Sequence, residues 1–240
     1  MRLIKKIIDK LFKIFNLKLI KIVDQFNNSY RLTLAFKEKK IDCIFDIGAN
    51  EGQFAKEIRY YGYKNEIISF EPLKAEFEKL KSNSKNDNNW TVYQRCAVGN
   101  KNTELEINVS KNSVSSSILK INKEHLIVEP KSRYIEKQTV ELKKIDDIYE
   151  ELNKSDRNCF LKIDVQGYEE QVLEGARNVI SKFKGLLVEV SLADLYEGQA
   201  TWIEMINKIQ DYGFKIWSID RGFTNKENGK TLQVDLVFFR

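Results

Sequence analysis

The amino-acid sequence predicts an α/β fold: a parallel sheet with crossover helices, closed by one antiparallel strand. Three observations carry this. From residue 41 onward, short β-rich runs alternate with helical ones, the pattern of a sheet covered by its own crossovers. The first run, "IDCIFDI", passes directly into "GANEGQFA", a glycine turn that opens a helix. The last two runs, "FKIWSID" and "QVDLVFF", are joined by a short connection carrying Asn228 and Gly229, which favours an antiparallel pair.

Before residue 41 the pattern is different. In "RLIKKIIDKLFKIF" the apolar residues Ile4, Ile7, Ile8, Leu11 and Phe15 recur at helical spacing, with Lys5, Lys6, Asp9, Lys10 and Lys13 opposite them, so the segment reads as an amphipathic helix. The phase slips around Asn16 to Lys18. A second short helix is expected over Leu19 to Phe26, and a third carries Tyr30 to Phe36 toward the core. Residues 1–40 therefore form a helical arm and residues 41–240 a single α/β domain, a size ample for a large core.

Within that domain the expected order is the strand "IDCIFDI", the helix "GQFAKEIRYYG", the strand "EIISF", the helix "KAEFEKLKSN" and one strand over "TVYQRCAV". Further on come the strand "CFLKIDV", a continuous helix "EEQVLEGARNVISK", the strand "GLLVEVS" and the helix "WIEMINKIQDYG", before the final strand pair. Residues 97–158 break this rhythm. There "TELEINVS" alternates as an exposed strand, "NSVSSS" reads as a polar loop, His125 to Tyr134 is irregular, and "KQTVEL" is a short strand before the helix "KKIDDIYEEL". An insertion at the strand ends of an α/β sheet usually shapes a pocket.

Composition narrows the function classes. The 240 residues are 42% hydrophobic, with 14 Phe and 10 Tyr, which argues against disorder. No apolar run approaches the ~20 residues of a membrane span. Cys43, Cys96 and Cys159 are far apart and lie in or beside apolar runs, so they read as core thiols of a reducing cytosol, and no secretion signal is evident. The net charge is +5, yet Met1 to Val23 alone carries seven Lys or Arg against Asp9, a balance of +6 that leaves −1 for the remainder. A nearly neutral body counts against a nucleic-acid substrate.

Candidate chemistry begins at "DIGANEGQFA". Asp46 ends the first strand, and Gly48 and Gly52 bracket a turn whose backbone can approach a ligand, although the spacing is not that of a dinucleotide fingerprint. The second strand ends in "ISFEP", so Glu71 sits at the neighbouring strand tip, where Rossmann-type sites hold an acid for ribose hydroxyls. Together these point to a nucleoside cofactor. NAD and S-adenosylmethionine (SAM) both carry that ribose, but only NAD needs the pyrophosphate cradle that is missing here. His125, the only histidine, reads as a loop residue; Ser115 to Ser117, Tyr196, Glu197 and Gln199 fall where acceptor contacts would lie.

The blocks "FDIGANEGQFA", "ISFEP", "CAVGN", "LKIDVQGYEEQVLEGA", "EVS" and "LYEGQ", in this order, strongly resemble the FkbM-type SAM-dependent methyltransferases over residues 41–240. The resemblance implies a class I methyltransferase fold, Rossmann-like with seven strands and an antiparallel last strand, and methylation of hydroxyls on sugars or polyketide products. It also implies that Asp46, Gly48, Asn50 and Gly52 surround the methionine end of SAM, Glu71 the ribose and Ala97 the adenine. The expected activity is O-methyl transfer to a saccharide or glycoconjugate precursor. An RNA methyltransferase, a non-catalytic SAM- or carbohydrate-binding scaffold and an NAD-linked oxidoreductase are the rivals.

Inside the most specific block, "KIDVQGYE", Lys162 and Asp164 place two charges on one face of an apolar strand. Glu189, in "GLLVEVS", is expected to neutralise Lys162 from the next strand. Asp164 would then hold the amino group of SAM or accept the acceptor's hydroxyl proton, with Lys162 and Glu189 positioning the acceptor oxygen. A Mg²⁺ ion held by Asp164 and Glu189 is a minority option, since hard cations want more oxygen ligands. For the arm, docking on the domain or on a second subunit competes with contact to an anionic membrane leaflet, which would hold a cytoplasmic enzyme at the inner membrane surface.

Overall fold

The computed structural model describes residues 27–240. The two helices expected within residues 1–26 lie outside the described residues. Asn27 caps the helix Asn28–Glu38, its side-chain oxygen accepting from the Tyr30 N–H at 2.9 Å and so satisfying a donor that a helix start leaves open. Leu32, Ala35 and Phe36 of this helix are buried with Ile41, Ile44 and Phe160. The segment expected to lead toward the core is part of it.

Ten strands succeed it in chain order: β1 (Cys43–Ile47), β2 (Glu66–Phe70), β3 (Trp90–Val92), β4 (Ala97–Val98), β5 (Thr103–Ser110), β6 (Tyr134–Lys143), β7 (Cys159–Ile163), β8 (Gly185–Ser191), β9 (Lys215–Arg221) and β10 (Gln233–Phe239). Seven make one sheet in the order β3-β2-β1-β7-β8-β10-β9. β1, β2, β3, β7 and β8 are mutually parallel, and β10 runs antiparallel to both β8 and β9, the expected class I methyltransferase arrangement. Every residue of β1 and of β7 is buried, as befits central strands covered on both faces. Cys43 and Cys159 stand opposite each other in register, and both, like Cys96, are free and buried.

Two elements differ from expectation. The strand expected over residues 91–98 is split. β3 ends at Val92, the Arg95 guanidinium donates to the Pro72 carbonyl at 2.9 Å, and β4 pairs in parallel with β6 in a second, three-stranded sheet. The helix expected over 169–182 stops at Gly175. A Cβ there would lie 1.9 Å from the Gly99 carbonyl oxygen, so the chain passes too close to the β4 turn for an ordinary side chain. The Asp146 carboxylate then caps the next turn of chain, accepting from the N–H groups of Asn178 (3.0 Å) and Val179 (3.2 Å).

The insertion contains both strands expected in it, with the second longer than its sequence pattern suggested. β5 and β6 form an antiparallel ribbon, and Ile107, Val109, Val140 and Leu142 pack with Leu73, Ala97 and Tyr168 over the carboxyl edge of the main sheet. His125, expected in an irregular loop, is buried in the short helix Lys123–Val128. No helix among the described residues is long and apolar enough to cross a membrane.

Candidate active site

The carboxyl ends of β1, β2 and β7 open into a cleft of about 350 Å³. Gly48, Asn50, Glu71, Ala97, Lys162 and Asp164 line it, with apolar walls from Phe70, Leu73, Val98 and Ile107. Asp46 and Gly52 stand behind the cleft, and Glu189 lines a neighbouring one of about 660 Å³. The two clefts share Val114, Asp164 and Gln166.

The β1 turn owes its glycines to protein packing. Gly48 has φ +72°, and a Cβ on it would fall 1.8 Å from the Asp164 carbonyl oxygen; Gly52 has φ +85°, and a Cβ there would meet the Trp90 ring at 2.5 Å. Glycine is needed for both the left-handed backbone and the close approach. Asn50 ties three segments together. Its N–H donates to Glu71 Oε2 at 2.7 Å, its amide donates to Ser113 Oγ at 3.2 Å, and its Oδ1 accepts from the Glu51 N–H at 2.9 Å. Glu71 also accepts from the Leu73 N–H at 2.9 Å. It is only 3% exposed, and burial, partly offset by those two backbone donors, pushes its carboxyl up to about 7.

Lys162 does not pair with Glu189. Its ammonium lies 3.1 Å from Asp46 Oδ1 and 3.8 Å from Asp164 Oδ2, and it donates to the carbonyls of Ile47 (3.2 Å) and Gly48 (2.9 Å). The reason is register: Asp46 is opposite Lys162 on β1, whereas the β8 residue opposite Lys162 is Leu187. Burial works against the charged amine, but Asp46 and Asp164 outweigh it and hold the pKa above the usual lysine value. Asp46 in turn accepts from Ser69 Oγ at 3.1 Å, and Ser69 Oγ accepts from the Trp90 indole at 2.9 Å. A polar chain thus crosses four strands beneath the cleft.

Beyond β7, Gln166 is the hub that sequence reasoning missed. It has φ +57°. Its amide nitrogen donates to Asp164 Oδ1 (2.9 Å) and to Glu189 Oε2 (2.7 Å), while its carbonyl oxygen accepts from the Tyr196 hydroxyl at 2.7 Å. Glu189 Oε2 also accepts from Gln233 Nε2 at 2.7 Å, and burial together with Asp164 and Asp235 holds its carboxyl well above the usual range. Glu169 Oε1 accepts from the N–H groups of Val165 (3.0 Å) and Gly167 (3.1 Å) and so shapes the loop; burial raises its carboxyl to about 7. Among the described residues no three His, Cys, Asp or Glu side chains converge to share a metal ion.

The serine loop is a latch as well as a lining. Ser113 and Ser116 face the first cleft. Ser117 Oγ donates to the Gln166 carbonyl at 2.6 Å, and the buried Ser115 accepts from Ser132 Oγ at 2.9 Å. Tyr196, Glu197 and Gln199 serve the scaffold: Tyr196 supports Gln166, Gln199 Oε1 accepts from the Tyr196 N–H at 2.9 Å, and Glu197 pairs with Lys120 at the surface. His125 lines the second cleft, packed edge-on against Tyr196, and burial lowers its pKa to about 4. No signal in these loop sequences distinguished hub from lining.

Known proteins share sequence features with this chain. Residues 46–216 match the Methyltransferase FkbM domain. The 2-O-methyltransferase NoeI of Sinorhizobium fredii (strain NBRC 101917 / NGR234) is 24% identical over 176 residues, covering 71% of this chain and 72% of that protein. Among solved structures, Sp1610 of Streptococcus pneumoniae, crystallised with S-adenosyl-L-methionine, aligns with TM-score 0.47 and 12% identity over 88% of this chain and 71% of that one. The precorrin-6y C5,15-methyltransferase of Geobacter metallireducens GS-15 aligns with TM-score 0.44 and 12% identity over 88% and 87%. With the family's domain matched from the end of β1 into β9, the chain belongs to the FkbM methyltransferase family.

Proposed function

We propose that the protein is a SAM-dependent O-methyltransferase acting on a hydroxyl of a saccharide or glycoconjugate precursor. The observation that carries the donor assignment is Glu71, a buried carboxylate at a strand tip, facing an apolar-walled cleft that runs on to Asp164. The residues fit the group. A carboxylate whose two backbone donors leave its pKa near 7 has capacity for ribose hydroxyls, Ala97, Leu73 and Val98 offer a wall for adenine, and Asp164 offers an anion for the amino group. When bound, SAM supplies an electrophilic methyl carbon on sulfur. The chain's own residues orient the partners and shield them from water.

The second cleft suits an uncharged polyhydroxylated acceptor. Asn112, Asn225, Gln233 and Glu189 offer hydrogen-bonding groups around it, Phe223 an apolar face, and Gln166 and Asp164 its junction with the donor side. The resemblance to a 2-O-methyltransferase supports a hydroxyl acceptor. The test is incubation of purified protein with methyl-labelled SAM and fractionated cell glycans. Label in an alkali-stable glycan linkage is the expected result. Transfer only to RNA, or none to any hydroxyl acceptor, overturns the reading.

A further inference from the structure

We propose that Asp235 of β10 is a catalytic residue, the group that takes the proton from the acceptor hydroxyl. This rests on the O-methyl-transfer reading above and adds a residue that the motif blocks do not contain. Glu189 of β8 is opposite Asp235, Asp235 is opposite Asp220 of β9, and Asp164 directly succeeds Ile163, whose partner on β8 is Val188. Four carboxylates therefore form a row along one edge of the sheet, at the carboxyl ends of β7, β8 and β9 and the amino end of the antiparallel β10. Since register partners share a face and residues two apart on a strand do so as well, Asp235 projects to the side that carries Lys162. It lines the donor cleft with Lys162, Asp164 and Glu71 and not the second cleft, so an acceptor hydroxyl reaches it past Asp164, which lines both.

The other three carboxylates of that row already have partners. Asp164 is engaged by Gln166 and Lys162, and Glu189 by two amide donors. Asp220 is engaged by the Arg31 guanidinium at 3.2 Å and the Ser218 hydroxyl at 2.7 Å. Asp235 has no hydrogen-bond donor and no cation within ion-pair distance among the described residues. A largely buried carboxylate that faces a cleft without a donor is free to accept a proton from a substrate.

The surroundings tune it for that. The charged groups acting on Asp235 are Asp164 and Lys162 of β7, Glu189 of β8 and Asp220 of β9; Glu57 lines the same cleft, and Arg31 is held by Asp220. Burial first and then Asp164 push its carboxyl up to about 7; Lys162 pulls the other way, and Asp220 adds the smallest upward push. An ordinary carboxylate is too weak a base at neutral pH, and one near 7 combines ionisation with proton affinity. The alternatives serve less well: Lys162 is held charged by Asp46, and His125 has a pKa of about 4.

In the step, a lone pair of the acceptor oxygen forms a bond to the methyl carbon of the sulfonium donor. The carbon–sulfur bond breaks with its pair staying on sulfur, and the O–H proton passes to an Asp235 oxygen. A cation and a carboxylate are converted to a neutral thioether, a methyl ether and a neutral carboxylic acid, which then returns its proton to solvent.

The test is Asp235→Asn in the full chain, read four ways. With ¹³Cγ-labelled aspartate, the unliganded wild-type protein should show a carboxyl titrating near 7 that is missing in the variant. SAM affinity by calorimetry should stay within about threefold. With a hydroxyl acceptor, kcat should fall by about 10²–10⁴-fold, the range general-base catalysis contributes, and the acid limb of the pH–rate profile should vanish. A near-native kcat with its acid limb intact, or an Asp235 titration near 4, overturns the proposal. Should the Asn variant fail to fold, Asp235→Glu carries the test: a lowered kcat with a retained acid limb supports the role, and a wild-type kcat overturns it. Absence of hydroxyl methylation by the wild-type enzyme removes the transfer reading and this proposal together, whereas full activity in Asp235→Asn overturns this proposal alone.

Discussion

Replacing Lys162 with methionine separates a structural role for this lysine from a catalytic one. Methionine fills much of the same volume but leaves Asp46, which is 0% exposed, with only the Ser69 hydroxyl as a partner among the described residues. Removing one member of a buried ion pair costs about 3–5 kcal/mol, because the other charge is left uncompensated. The Gly48 carbonyl also loses its donor at 2.9 Å, which adds about 1 kcal/mol. For a chain of this size each kcal/mol moves the melting temperature by about 2–4 °C, so Lys162→Met should melt roughly 10–20 °C below wild type in a calorimetric scan. Asp46→Asn added to Lys162→Met removes the stranded charge and should recover at least half of that loss. A loss below about 1 kcal/mol, or a double variant no more stable than the single one, would refute the claim that the pair is mutually required. The same variant then informs on catalysis only if it is assayed well below its new melting point.

The same geometry sets other expectations. Glu71→Ala should weaken SAM binding by roughly 1.5–3 kcal/mol in calorimetry; unchanged affinity, or tighter binding of NAD than of SAM by the native protein, would count against the ribose assignment. Gly48→Ala drives a Cβ into the Asp164 carbonyl at 1.8 Å with φ +72°, so urea unfolding should show a loss of several kcal/mol, and near-native stability would mean the turn is more compliant than its packing implies. Glu71, Glu169 and Asp235 each have a folded pKa of about 7, raised above an unfolded value of about 4. Between those values the folded state holds protons that the unfolded chain has released, so stability falls as pH rises from about 4.5 to about 7 and levels off above. The unliganded protein should therefore melt higher at pH 6 than at pH 8, and Glu169→Gln should flatten that slope.

The fold was legible because its signals are local. Short, nearly continuous apolar runs at 43–47, 66–70 and 159–163 alternate with 3.6-period helices, and each strand tip carries its glycine or acid in plain sight. What failed depends on chain segments far apart in sequence. The run 91–98 has strand composition throughout, yet its second half finds β6 rather than β2. The helix at 169–182 has no breaker in sequence beyond Gly175, whose constraint comes from the Gly99 carbonyl. In the site, Lys162 and Asp164 stood out as charges in an apolar strand. Asp235 in "QVDLVFF" carries the same signal, but only the antiparallel register reveals that it stands opposite Glu189. The partner of Lys162 was misread for the same reason, since periodicity gives the face and not the neighbour. Gln166, Ser113 and Ser117 are polar residues in loops, where composition carries no information about which hydrogen bond is made.

The polar chain from Lys162 through Asp46 and Ser69 ends on an indole, which gives the protein a built-in optical gauge. Trp90 is 6% exposed, whereas Trp202 and Trp217 are 40% and 39% exposed, and these are the chain's three tryptophans. An aqueous quencher such as iodide reaches the two exposed rings and spares the buried one, leaving an emission that comes from Trp90. Because the Trp90 N–H donates to Ser69 Oγ, and that hydroxyl in turn donates to Asp46 beside Lys162, the residual emission is coupled to the floor of the cleft. Filling the cleft should therefore shift the residual Trp90 emission of the unlabelled protein.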